Sequence, residues 1–426
     1  MAEKTPLAQR GQDRIRIGAY IPFHPDRVDE EHVRLLAQAG VDLAVVYLDG
    51  IPDKQKELFG WMAKYGVEAA LDYNGWSKFF HGARLYDETK KDTAWFADEP
   101  AFRAMSFVDE PGTEHFDELG KSVAQFRRDF PGKTAYINLM PMYANAVQLT
   151  GGSWKSAIEY YETPGTTYRQ YLEEYIAKVD TDYICADIYP CRREPDPACP
   201  DDFPAVYRST TYDNYIRAIE IVADACRASG RDFWCCLQSC SWSKDVREPS
   251  EAELRWQFFT LLSYGVKTFL YFVFACYSNH TGACLNERGE KTKLFLASQR
   301  ISAELKKLSA TYMQYKNLGA FNVNSSPETT PYLEMDHPCI GFTAIREIQA
   351  DAPLLVGCFE KKDGCGKAFT LVNMQDFADP KPVNVKLAAD GVLTIYRGGA
   401  PERLTPVNGV YAVTLEQGDG VFVTID

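Results

Sequence analysis

Residues 15–25 read Ile15-Arg-Ile-Gly-Ala-Tyr20-Ile-Pro-Phe-His-Pro25. The first half is a short β-prone run, and a helical pattern opens soon after and covers Asp29–Ala39. The turn between them chooses among α/β folds. An open doubly wound sheet usually carries a glycine-rich phosphate loop after its first strand. Here the turn Tyr20–Pro25 holds no glycine. That absence favours a closed barrel.

Working outward, the same strand–loop–helix unit recurs. Strands are predicted at Ile15–Pro22, Val41–Leu48, Val67–Tyr73, Ala104–Val108, Thr134–Met140, Tyr183–Tyr189, Phe233–Ser239 and Lys267–Phe274. Between them the spacing predicts helices over Asp29–Ala39, Lys54–Tyr65, Glu114–Asp129, Tyr168–Val179, Tyr212–Ala228 and Glu251–Tyr264, with Leu294–Met313 closing the series. Glu114–Asp129 carries Leu119, Val123 and Phe126 on one face, and Pro131-Gly132 stops it. Eight such units predict a parallel sheet closed into a (β/α)8 TIM barrel. From about residue 320 helices give way to short alternating runs: Ile340–Ile345, Leu354–Phe359, Lys367–Asn373, Pro382–Leu387, Val392–Tyr396, Gly409–Leu415 and Gly420–Ile425. These predict a C-terminal antiparallel β-sandwich. The expected organisation is an N-terminal extension over 1–14, a catalytic barrel over 15–318 and a sandwich over 319–426.

Composition narrows the function. The 426 residues hold 46 Lys+Arg against 59 Asp+Glu, a formal charge of −13. Without a basic cluster such a chain is poorly suited to a nucleic-acid backbone. No apolar run approaches the about 18 residues of a membrane span, and Met1–Gln12 lacks the apolar core of a secretory signal. The twelve cysteines are scattered, several (Cys185, Cys235, Cys236, Cys276) within apolar runs, and read as small buried hydrophobes of a reducing compartment. A cytoplasmic protein is expected. With no CxxC, no HExxH and six dispersed histidines, neither a metal nor another cofactor is expected.

Barrel enzymes keep their chemistry at the C-terminal ends of the strands. Strand four ends Ser106-Phe-Val-Asp109-Glu110-Pro111-Gly112. Adjacent carboxylates there raise one another's pKa and suit a general acid, although either could instead cap the following helix. Strand six ends Ala186-Asp187-Ile-Tyr189-Pro190, where alternation turns Asp187 and Tyr189 toward the axis. Asp72, Asn74 and Trp76 close strand three, Asn138 lies in strand five, Gln238 and Trp242 close strand seven, and Tyr20 closes strand one. The amides suit sugar hydroxyls and the indoles suit pyranose faces. Rival chemistries lack their residues: no Ser-His-Asp order stands out, strand six has no Schiff-base lysine, and the loops after strands seven and eight lack phosphate-binding glycines.

These residues resemble the glycoside hydrolase barrels of the β-galactosidase-like superfamily. The passage Glu248-Pro-Ser-Glu-Ala-Glu-Leu-Arg-Trp-Gln-Phe-Phe259, followed by Ser263-Tyr-Gly-Val-Lys-Thr-Phe-Leu-Tyr-Phe272, is similar to their strand seven to strand eight segment. That plan implies Asn-Glu after strand four and a nucleophilic Glu after strand seven, whereas this chain has Asp109-Glu110 and Gln238. A glutamine cannot form the glycosyl ester of a two-carboxylate retaining mechanism. The Asp-Glu pair instead resembles the substrate-assisted hexosaminidases, including family 123 β-N-acetylgalactosaminidases, although those place a sandwich before the barrel. The resemblance implies Glu110 as acid/base, Asp109 as partner of the acetamido N–H, and Tyr189 as holder of its carbonyl.

The expectation is therefore an exo-acting β-N-acetylhexosaminidase with a carbohydrate substrate. Two alternatives stand beside it: a β-galactosidase- or β-glucosidase-like hydrolase using Glu110 and Asp187, and a carbohydrate-binding barrel without catalysis. Sugar identity, the loops near 142–165 and 190–210, and homo-oligomerisation stay open at this stage.

Overall fold

The computed structural model describes residues 12–47, 52–72, 94–151, 168–195, 207–325, 342–377 and 380–426. Strands β1 Arg16–Tyr20, β2 Leu43–Tyr47, β3 Glu68–Asp72, β4 Phe102–Asp109, β5 Thr134–Asn138 and β6 Tyr183–Asp187 are followed by a hairpin, β7 Cys191–Pro195 and β8 Tyr207–Thr211, then by β9 Asp232–Gln238 and β10 Val266–Phe272. Helices α1 Glu30–Gln38, α2 Gln55–Tyr65, α3 Phe116–Asp129, α4 Ala146–Thr150, α5 Tyr168–Lys178, α6 Tyr215–Ser229, α7 Glu251–Ser263 and α8 Lys293–Tyr312 alternate with them. The parallel sheet runs β5-β4-β3-β2-β1-β10-β9-β6. It closes through a parallel bridge between Leu139 and Ala186, where Leu139 N–H donates to Cys185 O at 2.8 Å. All eight barrel strands fall where the alternation places them.

Pleating sorts the side chains into two cores. Ile17, Val46, Leu71, Ile137, Ile184 and Phe269 face outward and bury the apolar stripes of the helices, such as Leu119, Val123 and Phe126 of α3. Leu43, Val45, Tyr136, Tyr183, Trp234 and Leu270 point inward. Tyr183 and Trp234 stack at 3.9 Å between centroids, and Tyr183 Oη donates to Ala135 O at 2.7 Å. This aromatic plug makes the barrel a packed core whose open space lies near the strand ends.

The C-terminal residues form antiparallel sheets. One, ordered β11-β13-β14-β19-β16-β17, contains β11 Tyr315–Val323, β13 Leu354–Lys361, β14 Lys367–Asn373, β16 Leu393–Arg397, β17 Ala400–Arg403 and β19 Gly420–Ile425. The other pairs β12 Ile345–Ala350, β15 Val383–Ala389 and β18 Tyr411–Leu415. Apolar residues of both, including Val356, Leu371, Val385 and Val413, share one cluster. Three expectations shift here. The run expected at Ile340–Ile345 becomes β12 from Ile345 onward, with 340 and 341 outside the described residues. Neither β11 nor β17 was expected: β11 follows α8 after two residues, and β17 is exposed along its whole length and so leaves no apolar alternation. The helix-to-sheet change thus falls a few residues ahead of 319.

Helix α7 joins the two parts. It is buried on nearly every side because β9 and β10 cover one face and β13, β14 and β19 another. Close approach needs glycine: a Cβ on Gly357 would meet Ser263 O at 2.5 Å, and one on Gly420 would meet Phe259 Cβ at 2.4 Å. Arg255 of α7 anchors the joint. Its Nε donates to Asp419 Oδ1 at 3.0 Å, its Nη2 donates to Glu304 Oε1 of α8 at 3.1 Å, and its guanidinium lies 4.5 Å over the Phe259 ring. Glu304 also accepts from Gly398 N–H at 2.9 Å. Removing one partner leaves poorly solvated charge behind, so Arg255→Ala should lower unfolding free energy by about 2–4 kcal/mol in urea titrations. A loss under about 0.5 kcal/mol, typical of an exposed pair, would reject that role.

Candidate active site

The strand that carries the acidic pair is irregular. The register of β4 on β5 slips between Ser106 and Val108. Ala104 faces the interior, whereas Met105, Phe107 and Val108 all pack in the layer under the helices. One extra residue, a β-bulge, has inverted the alternation. An unbroken pleat from Ala104 would turn Val108 inward and Asp109 toward the helices. With the bulge, Asp109 comes level with Asn138 and faces the axis. Glu110 then adopts φ +49°, and its N–H donates to Asn138 O at 2.8 Å. A left-handed backbone at a non-glycine residue costs about 1–3 kcal/mol. It also breaks the rule that neighbours in a strand point apart, so Asp109 and Glu110 line one cavity.

That cavity, about 260 Å³, is lined by Tyr20, Asp109, Glu110, Asn138, Tyr143, Asp187, Tyr189, Cys236, Trp242 and Phe272. Asn138 is its hub. One Nδ2 donates to Asp109 Oδ1 at 2.9 Å and to Asp187 Oδ1 at 3.1 Å. Tyr20 Oη donates to Tyr136 Oη at 2.8 Å beneath it. The walls are aromatic: Tyr189 meets Trp242 edge-on at 5.0 Å and Phe272 at 5.2 Å. A hollow of about 340 Å³ at the opposite end of the barrel also holds acids. There Asp182 and Asp232 are neutralised by Arg127 and Lys267.

Burial, with no lysine or arginine among the described lining residues, sets the electrostatics. It pushes the Asp109 carboxyl up to about 7, the Asn138 N–H opposing and the Glu110 and Asp72 charges adding. Burial also holds Asp187 well above the usual carboxylate range, reinforced by Glu110 and Asp109, and it raises Glu110. Three acids in one low-dielectric space cannot all ionise at neutral pH. The site therefore offers both a proton donor and a carboxylate acceptor.

The expected residues divide clearly. Asp109, Glu110, Asn138, Asp187, Tyr189, Trp242 and Tyr20 meet in the cavity. Asp72 ends β3 half-buried, close enough for its charge to act on Tyr47 and Asp109. Asn74 and Trp76 lie outside the described residues. Gln238 is a correction: it is fully buried, and its amide braces backbone. Its Oε1 accepts from Cys191 N–H at 2.7 Å, and its Nε2 donates to the carbonyls of Cys191, Cys240 and Arg247. It pins the β7–β8 hairpin, so it has no free group for a sugar. Asn138 likewise spends its N–H groups on carboxylates. The capping alternative also fails, since Gly112 caps the short turn Thr113–His115 and no side chain bonds there. Tyr143, Phe272 and Cys236 were missed. Phe272 shares the parity of inward Leu270, and Cys236 that of Trp234, so alternation alone could have flagged both; Tyr143 lies past β5 and left no periodic signal.

Carrying a buried acid has a pH signature. A carboxyl whose folded pKa is raised binds its proton more tightly folded than unfolded, so stability falls as pH rises from about 4 to about 7. Asp109→Asn should remove that slope, gaining about 2–4 kcal/mol relative to the parent at pH 8 over the comparison at pH 4. Parallel pH–stability curves for the two proteins would contradict it.

No protein-family model and no curated protein sequence matches the chain. Solved structures do match its fold. A catalytic mutant of Gan42B, a GH42 β-galactosidase from G. stearothermophilus, aligns at a TM-score of 0.59 over 97% of this chain and 98% of that one, with 8% identity. A β-galactosidase from Bacillus circulans sp. alkalophilus aligns at 0.54 over 97% and 99%, with 9% identity. The chain spans 60% of a β-galactosidase from the psychrophilic Marinomonas ef1, at 0.47 and 10% identity. At these identities the likeness of the first two establishes the fold, a barrel followed by antiparallel sheets.

Proposed function

We propose that the chain is a glycoside hydrolase that releases β-linked N-acetylhexosamines, using the substrate's own acetamido group as nucleophile. The observation that carries this reading is the pair Asp109 and Glu110, consecutive in sequence yet lining one cavity, with no carboxylate there from β9. The fold it shares with β-galactosidases supports the wider class, glycosidase. We take the C-terminal sheets as an accessory β-sandwich and the protein as one whose partner is its carbohydrate substrate.

In the first step Glu110 gives its proton to the glycosidic oxygen as the C1–O bond breaks. The acetamido oxygen attacks C1 and closes an oxazolinium ring. Asp109, ionised, accepts the acetamido N–H, aligns the group and offsets the positive charge. In the second step the Glu110 carboxylate takes a proton from water, which attacks C1 and reopens the ring. Two inversions leave the configuration retained. Tyr189, Trp242 and Phe272 form a wall suited to the acetamido methyl, and the Tyr189 hydroxyl is the donor we assign to its carbonyl.

One observation favours a second reading, in which Glu110 is the acid and Asp187 the nucleophile of a plain β-galactosidase or β-glucosidase: Asp187 faces the same cavity. A nucleophile must be ionised, however, and burial beside two other acids holds the Asp187 carboxyl well above the usual carboxylate range, which disfavours the ionised form. The substrate-assisted reading needs no ionised Asp187.

Nitrophenyl glycosides separate the readings. Turnover should be confined to 2-acetamido sugars and should fall about 10²–10⁴-fold in Glu110→Gln. Cleavage of plain galactoside or glucoside, lost in Asp187→Asn, would favour the second reading; silence over the panel would favour a binding barrel. The pH profile adds a check. Because Asp109 must be ionised, kcat/KM should rise with pH through a limb near 7. A profile flat from pH 5 to 9 would remove these assignments.

A further inference from the structure

Beneath the carboxylates lie two thiols on neighbouring strands, Cys185 of β6 and Cys236 of β9. Cys185 Sγ donates to Asn138 Oδ1 at 3.4 Å and Cys236 Sγ reaches it at 3.7 Å. The same sulfurs lie 3.6 and 3.8 Å from Tyr136 Oη, which Tyr20 Oη ties from above. Asn138 is therefore satisfied on both sides: its amide nitrogen faces two carboxylates and its amide oxygen faces two thiols. An amide can be turned over at little steric cost, since oxygen and nitrogen are nearly the same size. Turned over, it would present oxygen to Asp109 and Asp187, a partner that only a protonated carboxyl can use.

We propose that Cys185 and Cys236 are positioning residues that hold the Asn138 amide with its nitrogen toward the acids, and so keep Asp109 able to ionise. Their packing as small hydrophobes does not require two donors aimed at one oxygen. Burial keeps the Cys236 thiol protonated and hence a donor. Other groups face the acids as well: Asp72 from β3, Glu110 beside Asp109, and the phenols of Tyr20, Tyr47 and Tyr189. Arg192 lies 5.4 Å from the ring of Tyr143, which lines the cavity. The two acids hold the nitrogen side of the amide, and the two thiols hold its oxygen side.

The role in turnover depends on the glycosidase reading, but the effect on the acids does not. The test compares Cys185→Ala/Cys236→Ala with Cys185→Ser/Cys236→Ser, reading carbon-13 aspartate carboxyl titrations and the hydrolysis of nitrophenyl β-N-acetylglucosaminide and β-N-acetylgalactosaminide. In the alanine protein the Asp109 midpoint should move up by about one pH unit, the size expected for one lost hydrogen bond. The acid limb of kcat/KM should move with it, kcat at pH 7 should fall several-fold and KM should change less than twofold. Serine hydroxyls, which also donate, should restore the parent values. Parent-like titration in the alanine protein, or no rescue by serine, overturns the proposal. Cys236→Ala alone, which leaves one thiol, replaces the double variant if that fails to fold. Titration shifts without hydrolysis in the parent would uphold the positioning role and reject the glycosidase.

Discussion

Several acids share one largely buried cavity at the end of this barrel, and the surrounding structure is arranged around that electrostatic cost. Asp109, Glu110 and Asp187 come from two strands on either side of β5, and Asn138 of β5 stands between them with a donor for each aspartate. Among the described residues no lysine or arginine lines the cavity. The acids remain there by keeping protons, by sharing one amide, and by the support of an aromatic and thiol floor that fixes that amide. A buried ion pair would be a simpler arrangement, but it would consume the proton-transfer capacity that raised carboxyl pKa values supply.

The bulge in β4 and the left-handed Glu110 belong to the same constraint. A parallel barrel imposes strict alternation, which allows one side chain in two to reach the axis. Two adjacent acids can enter a single cavity only if the strand gains a residue and then turns sharply. Both irregularities occur within four residues of each other, at the mouth of the barrel. The rest of the scaffold is conventional by comparison: apolar stripes against the sheet, a plugged interior, and α7 clamped between barrel and sheets by Arg255 and by glycines that admit its backbone.

The barrel was legible because its signal is local and repeated. The barrel strands bury both faces and most helices one stripe, so the hydrophobic pattern recurs around the barrel and errors at individual boundaries do not matter. Asp187 and Tyr189 were legible for the same reason, since alternation along a regular strand is enough to assign a face. Gln238 was misread because parity states only the side from which a residue leaves the strand. It cannot say that the β7–β8 hairpin folds over that spot and takes up the amide. The exposed edge strand β17 left no pattern because nothing covers it.

The sequence by itself determined the fold class, the end of the barrel where polar residues collect, and the acidic pair as the centre of interest. These follow from composition and period, which act over a few residues. Only the tertiary structure decided which acids share a cavity, which of them keep protons, and that one asparagine and two cysteines from three strands meet at a single amide. Those outcomes depend on burial, and burial is set by chain segments as far apart as Tyr20 and Phe272, whose approach no local pattern encodes.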